Sequence, residues 1–329
     1  MNINEIVESM VIVDGHTDIP RDIYLKELNG ETNVFMKSHY PQLKNAGVNI
    51  IFANAITKTI DKSAFNQTLL QIEKMIRACN ENEDIFIIKD RNDLSHVLQT
   101  GKLGILLSIE GFEPLNDTLD LLNIYFMLGL RAGMLTWNNA NSYAYGTDHN
   151  EGSITPIGKK ALAKMNELGI LVDVSHLNEK GFWDVIRLNK QPTIASHSNA
   201  RALFNHRRNL TDEQIKAIAE SGGVVGAVSY FSKVGDLAAN KPRLEDDNTE
   251  TIDDYIQQIE YMVSLVGYDH VAFGFDFNIY LGDFGVAGLK SADNIKDVIQ
   301  LLLTRGHRLE DVTKIAGGNL IRVLNEILR

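Results

Sequence analysis

Short apolar runs alternate with longer segments of helical periodicity along nearly the whole chain, and this alternation is what most limits the possible folds. The runs are "MVIVDGH" (10–16), "VNIIFANAI" (48–56), "LGILLSIEG" (103–111), "GMLTWNNA" (133–140), "ILVDVSH" (170–176), "PTIASHS" (192–198), "GVVGAVSY" (223–230) and "HVAFGFDF" (270–277). Most are apolar at successive positions, as parallel strands covered on both faces require. Helical segments are expected at 61–80, 117–128, 156–168, 178–189, 211–221, 251–266, 292–304 and 309–328. In "NLTDEQIKAIAESGG", Thr211 is placed as N-cap, Gln214 as its capping-box partner and Gly222 as the stop. "TPIGKKALAKMNELGI" puts a proline in the first turn and a glycine after the last. Eight such units predict an α/β fold, a (β/α)8 TIM barrel over 1–329 as one domain, with a doubly wound open sheet as the competitor. Residues 231–250 are polar and irregular and read as a long loop, and "IFIIKD" (85–90) offers one additional strand.

Composition narrows the class. At 329 residues the chain can bury a large core. A formal net charge of −11 argues against a general nucleic-acid binder, which needs a basic surface to displace counterions. No signal peptide is read at the N-terminus, and no run approaches the roughly 18 apolar residues of a membrane span. The lone Cys79 lies in the amphipathic pattern "LLQIEKMIRACNEN" and reads as a small buried residue in a reducing compartment. The N-x-T matches at Asn66 and Asn116 therefore carry little weight. A cytoplasmic protein that engages neither nucleic acid nor membrane is expected.

The ends of the runs carry the chemistry: His16 and Asp18, Glu110, His176, His197 and Asp276. In a barrel these ends open onto one face, where active sites sit. His16 and Asp18, two apart, project to one side of their strand. Three imidazoles and the carboxylates suit Zn2+, and one bridging carboxylate can hold two ions about 3.5 Å apart. Taken singly, each has an ordinary explanation: a hydrogen-bonded histidine at the edge of the core, a turn aspartate, a Glu110 that caps a helix. The pattern alone leaves a metal site and this ordinary reading both open.

"DGHTD", "SIEGFEPL", "LVDVSH", "ASHSNARAL…RRN", "VAFGFDF" and "IAGGNLIRVL" together resemble the membrane dipeptidase (renal dipeptidase) family of the metal-dependent hydrolase superfamily, from residue 11 to about 325. The resemblance implies a (β/α)8 barrel with two Zn2+ that hydrolyses dipeptides. It matches His16, Asp18 and Glu110 to the ligands of one zinc, and Glu110, His176 and His197 to those of the other, with Glu110 bridging. It matches Asp276 to the acid/base aspartate and Arg208 to an arginine that binds the substrate carboxylate. A hydroxide between the ions would attack the scissile carbonyl, and a homodimer is also implied.

The chain departs from that pattern in places. Trp137, in "LTWNNANSYAYG", stands where mammalian members carry a substrate-contacting histidine, so Trp137 and, in the next loop, His149 become candidates for substrate contact. Asn278 replaces a second aspartate after Asp276. The disulfides and lipid-anchor signal of secreted relatives are not read here. Rival functions are another amidohydrolase, such as a lactonase or amidase, and a non-catalytic metal-binding barrel. The former typically open with His-x-His, whereas this chain has His-x-Asp.

Overall fold

Valine and isoleucine crowd both faces of Ile12–Thr17 (β1) and Val48–Ile56 (β2), and nearly every residue of the two is buried. Seven more strands follow: Ile85–Ile87 (β3), Leu103–Glu110 (β4), Leu130–Met134 (β5), Leu171–Asp173 (β6), Thr193–Ala195 (β7), Val224–Ala227 (β8) and Val271–Phe273 (β9). The computed structural model describes residues 2–57, 63–231, 250–277 and 286–329. Every ladder is parallel, in the order β1-β2-β4-β5-β6-β7-β8-β9. The last strand returns to the first, because Phe275 N–H donates to Asp14 Oδ1 at 3.0 Å and Asp276 N–H to His16 O at 3.1 Å. The result is a nearly closed eight-stranded (β/α)8 barrel, not a doubly wound sheet.

The extra strand expected at 85–90 is real but stands outside the barrel. β3 pairs with Leu103–Ile105 of β4, below the point where β5 joins that strand at Leu107. It covers a stretch of edge that would otherwise offer unpaired backbone groups.

Side chains alternate along the strands as the period of two demands. Ile105, Leu107 and Ile109 of β4 face the apolar layer under the helices. Leu106 faces a second apolar set inside the barrel with Val13, Phe52, Leu171 and Val224. The helix Asn319–Ile327 packs Leu320, Val323 and Leu324 into that inner set.

The capping expectations are met. Thr211 and Gln214 form a capping box at the helix Asp212–Glu220, and Thr155 caps Pro156–Leu168, which stops at left-handed Gly169. Three expectations are corrected. The fourth barrel strand is Leu130–Met134, not 133–140, because Asn141 ends it: its amide donates to Leu135 O at 2.8 Å and its Oδ1 accepts from Tyr143 and Ala144 N–H. The strand expected at 223–230 spans only four residues and that at 270–277 only three, as do those expected at 170–176 and 192–198. There Asp173 Oδ1 accepts the N–H groups of Ser175 and Ser196 at 3.0 and 3.1 Å, so a side chain takes over from the ladder. The helix expected at 309–328 is broken by a wide turn at Lys314–Gly318. Gly317 there presses on the carbonyl of Val11, where a β-carbon would not fit. Most of the irregular segment at 231–250, and Asn278, lie outside the described residues.

Candidate metal centre

His16 sits near the end of β1, and Asp18 follows it at the N-cap of the helix Ile19–Leu28. A capping aspartate would bond a backbone N–H of the first turn, and Asp18 makes no such bond. Its Oδ1 lies 3.6 Å from His16 Nε2 instead. Thr17 turns away and donates its hydroxyl to Phe52 O at 3.0 Å. Glu110, the last residue of β4, reaches both sides of the mouth. Its Oε2 is 3.4 Å from His16 Nε2, and its Oε1 is 2.7 Å from His176 Nε2 and 3.6 Å from His197 Nε2. Asp276 Oδ1 is 3.8 Å from His16 Nε2. All six side chains are buried.

By distance, His16 Nε2 gathers oxygens of Asp18, Glu110 and Asp276, and Glu110 Oε1 gathers His176 Nε2 and His197 Nε2, which are 2.8 Å apart. His16 also lies close enough to Glu110 and His197 for the three to hold one ion. Four ligands around zinc at 2.0–2.1 Å stand about 3.3 Å from one another, close to the 3.4, 3.6 and 3.8 Å between His16 Nε2 and the three carboxylates around it. His16 Nε2 is buried and makes no hydrogen bond, which is the condition of an atom kept for a metal. His176 Nδ1–H donates to Asn138 Oδ1 at 2.7 Å, so its Nε2 carries a lone pair aimed at His197. The donor set therefore fits a bound metal.

The charges agree with this division. Burial pushes the Glu110 carboxyl up, but His16 and His176 outweigh it and hold Glu110 below the usual carboxylate range. Burial also opposes a charge on His16, yet Glu110 and Asp276 raise it well above the usual histidine range. Burial, then Arg208, push His176 down to about 3, and burial keeps His197 well below normal. The histidine pair is thus neutral, as ligation requires. Burial holds the Asp276 carboxyl well above its ordinary value.

The remaining candidates lie in different settings. Arg208 is buried beside the cluster, and its guanidinium donates to the carbonyls of Ser175 and His197. Trp137 stands three residues past β5, half-buried, with its ring 6.1 Å from the His176 ring. His149 lies apart from the buried cluster: it is exposed, edge-on to Tyr145 at 5.8 Å. It lines a cavity of about 510 Å3 between the loops after β5, β6 and β7, together with Trp183, Arg201 and Arg207. Sequence reasoning missed Tyr230, whose hydroxyl donates to Asp276 Oδ2, and Asn138 and Ser196, which hold histidine δ nitrogens. A serine directly before both His176 and His197 is a signal that was there to read.

With this geometry in place, the comparisons with known proteins decide the family. Residues 1–329 match the membrane dipeptidase family, Peptidase family M19. The chain belongs to that family. It is a metallopeptidase fold member and a hydrolase of peptide bonds, built on a barrel of the metal-dependent hydrolase type. The dipeptidase aclJ of Aspergillus oryzae is 26% identical over 99% of this chain and 80% of its own length. An uncharacterized dipeptidase of Schizosaccharomyces pombe is 28% identical over 94% of this chain and 71% of its own. A metallo peptidase from Rhodobacter sphaeroides, solved with a phosphinate mimic of the dipeptide L-Ala-D-Ala, superposes with a TM-score of 0.86 at 23% identity, covering 97% of this chain and 99% of that one. Among the described residues no helix is long and apolar enough to cross a membrane.

Proposed function

We propose that this family member is a zinc-dependent dipeptidase with a binuclear centre, held by His16, Asp18 and Glu110 on one side and by Glu110, His176 and His197 on the other. The observation that carries the reading is Glu110, whose two oxygens face different histidine sets at 3.4 and 2.7 Å. When bound, the zinc pair supplies an activated water and polarises the scissile carbonyl. The protein supplies binding and proton transfer around it. Arg208, fixed by two backbone carbonyls, has further N–H donors for the substrate's terminal carboxylate, which aligns the bond and excludes longer peptides. Asp276 carries the proton to the leaving amine. Tyr230 holds one of its oxygens, and burial raises its proton affinity as that task needs. Trp137 over His176 and His149 on the rim are assigned to substrate contact. The family resemblance supports a homodimer, and the lone cysteine supports a cytoplasmic setting.

The test is Asp276→Asn in the zinc-loaded protein, assayed on a panel of dipeptides, lactones and simple amides. Metal content should persist while dipeptide turnover falls by about 100- to 10,000-fold. Near-normal turnover in the variant would sink the role of Asp276. Preference of the wild type for lactones or amides would move the protein to another hydrolase class.

A further inference from the structure

Ser196 stands between two histidines that the binuclear reading assigns to different metals. Its Oγ lies 3.2 Å from His16 Nδ1, 2.8 Å from His197 Nδ1 and 3.4 Å from Ser175 Oγ. Ser175 in turn donates its hydroxyl to Asp173 Oδ1 at 2.7 Å. All three anchoring side chains are buried, each at 2% exposure, so no solvent competes for these bonds.

Counting protons gives the chain a direction. The Ser175 hydroxyl donates to Asp173 Oδ1, so its proton is committed there. Ser175 Oγ then has two lone pairs, and it receives His197 N–H at 3.2 Å and the Ser196 hydroxyl. Ser196 Oγ also has two imidazole δ nitrogens within reach. Nε2 of both rings is turned toward Glu110, so ligation through Nε2 would place the proton of each ring at Nδ1, where Ser196 Oγ can accept it. Asn54 Nδ2 gives one of its two protons to Phe52 O at 3.2 Å and also lies 3.1 Å from His16 Nδ1, where it competes with Ser196 as a donor. His176 is held separately, by Asn138, whose Oδ1 also accepts from Thr147 Oγ at 2.9 Å.

We infer that Ser196 is a positioning residue shared by both metal positions, its hydroxyl accepting from Nδ1 of His16 and His197 so that one ligand of each metal is held by a single oxygen. The inference rests on the binuclear reading. The experiment strips the full-length protein with a chelator and titrates it with Zn2+ and with Co2+, following affinity and the cobalt spectrum. Wild type should take two equivalents, and Ser196→Ala should weaken both by about 10- to 100-fold. Asn138→Leu should weaken only one. A merely structural role for Ser196 would lower the apo-protein Tm and leave both affinities at wild-type values, which overturns the inference, as does weakening of only one. Histidine 15N spectra of the zinc-loaded wild type give a check that needs no variant. His16 and His197 should both carry a proton at Nδ1, and a bare Nδ1 on either overturns it. Wild type that binds fewer than two metals removes the binuclear reading itself, an outcome seen before any variant is made.

Discussion

The two halves of the candidate metal centre are built in opposite ways. The His16 half is set by regular structure: His16 stands in a strand, Asp18 stands at the start of the helix that follows, and Glu110 ends another strand. The His176–His197 half stands beyond the ends of two three-residue strands and is held by side chains that replace the ladder, chiefly Asp173, Asn138 and Ser196. The charge differs too. His16 among three carboxylates is pushed toward the cation, whereas His176, under burial and Arg208, is pushed down to about 3. One half is rich in anionic charge, and the other offers neutral lone pairs. Glu110 faces both halves with its two oxygens.

That comparison can be broken most directly at Glu110. Glu110→Ala should remove both metals and cut turnover by more than about 1,000-fold, and retention of either metal at wild-type affinity would show that the halves do not share it. A smaller effect is expected from Asp18→Ala. It removes an anion from one half only, so metal analysis should fall from two equivalents toward one, with the remaining ion at the histidine pair. Equal loss from both halves would show that they are not separable.

Glu113 gives the smallest effect and acts as a control, because it lies just past Glu110 but outside both halves. Burial raises its carboxyl from 4.5 to about 7. Its folded pKa is above its unfolded value, so its stabilising contribution is full below about pH 4.5 and is lost as pH rises through about 7. Glu113→Gln should leave two metals bound and be more stable than wild type at pH 8, by about 1–3 kcal/mol, with the difference vanishing near pH 4. Urea titrations at the two pH values measure this, and a pH-independent difference would remove the explanation by burial.

Regular halves are also the legible ones. The boundaries of β2 and of the helix Pro156–Leu168 follow from apolar runs and end signals alone. "HTD" could be read because two-residue spacing has one meaning on a strand. The later strands were overextended, since "VDVSH" and "TIASHS" are apolar enough to continue, and only the Asp173 carboxylate, bonding across two strands, ends them. Trp137 looked like a strand end for the same reason, until Asn141 folded its segment into a turn. Both errors come from side chains that bond to backbone at a distance no local pattern records. The bridging posture of Glu110 needs three other strands in place and has no local signature at all.

The seam between the first and last barrel strands has a consequence for the order in which the protein can become active. The Asp14–Phe275 bond joins residues 261 positions apart, and it brings Asp276 against His16. During synthesis His16, Asp18 and Glu110 leave the ribosome long before His176 and His197, and Asp276 follows later still. A nascent chain can therefore display candidate metal ligands early, but the proposed acid/base aspartate joins them only after the last barrel strand has been made.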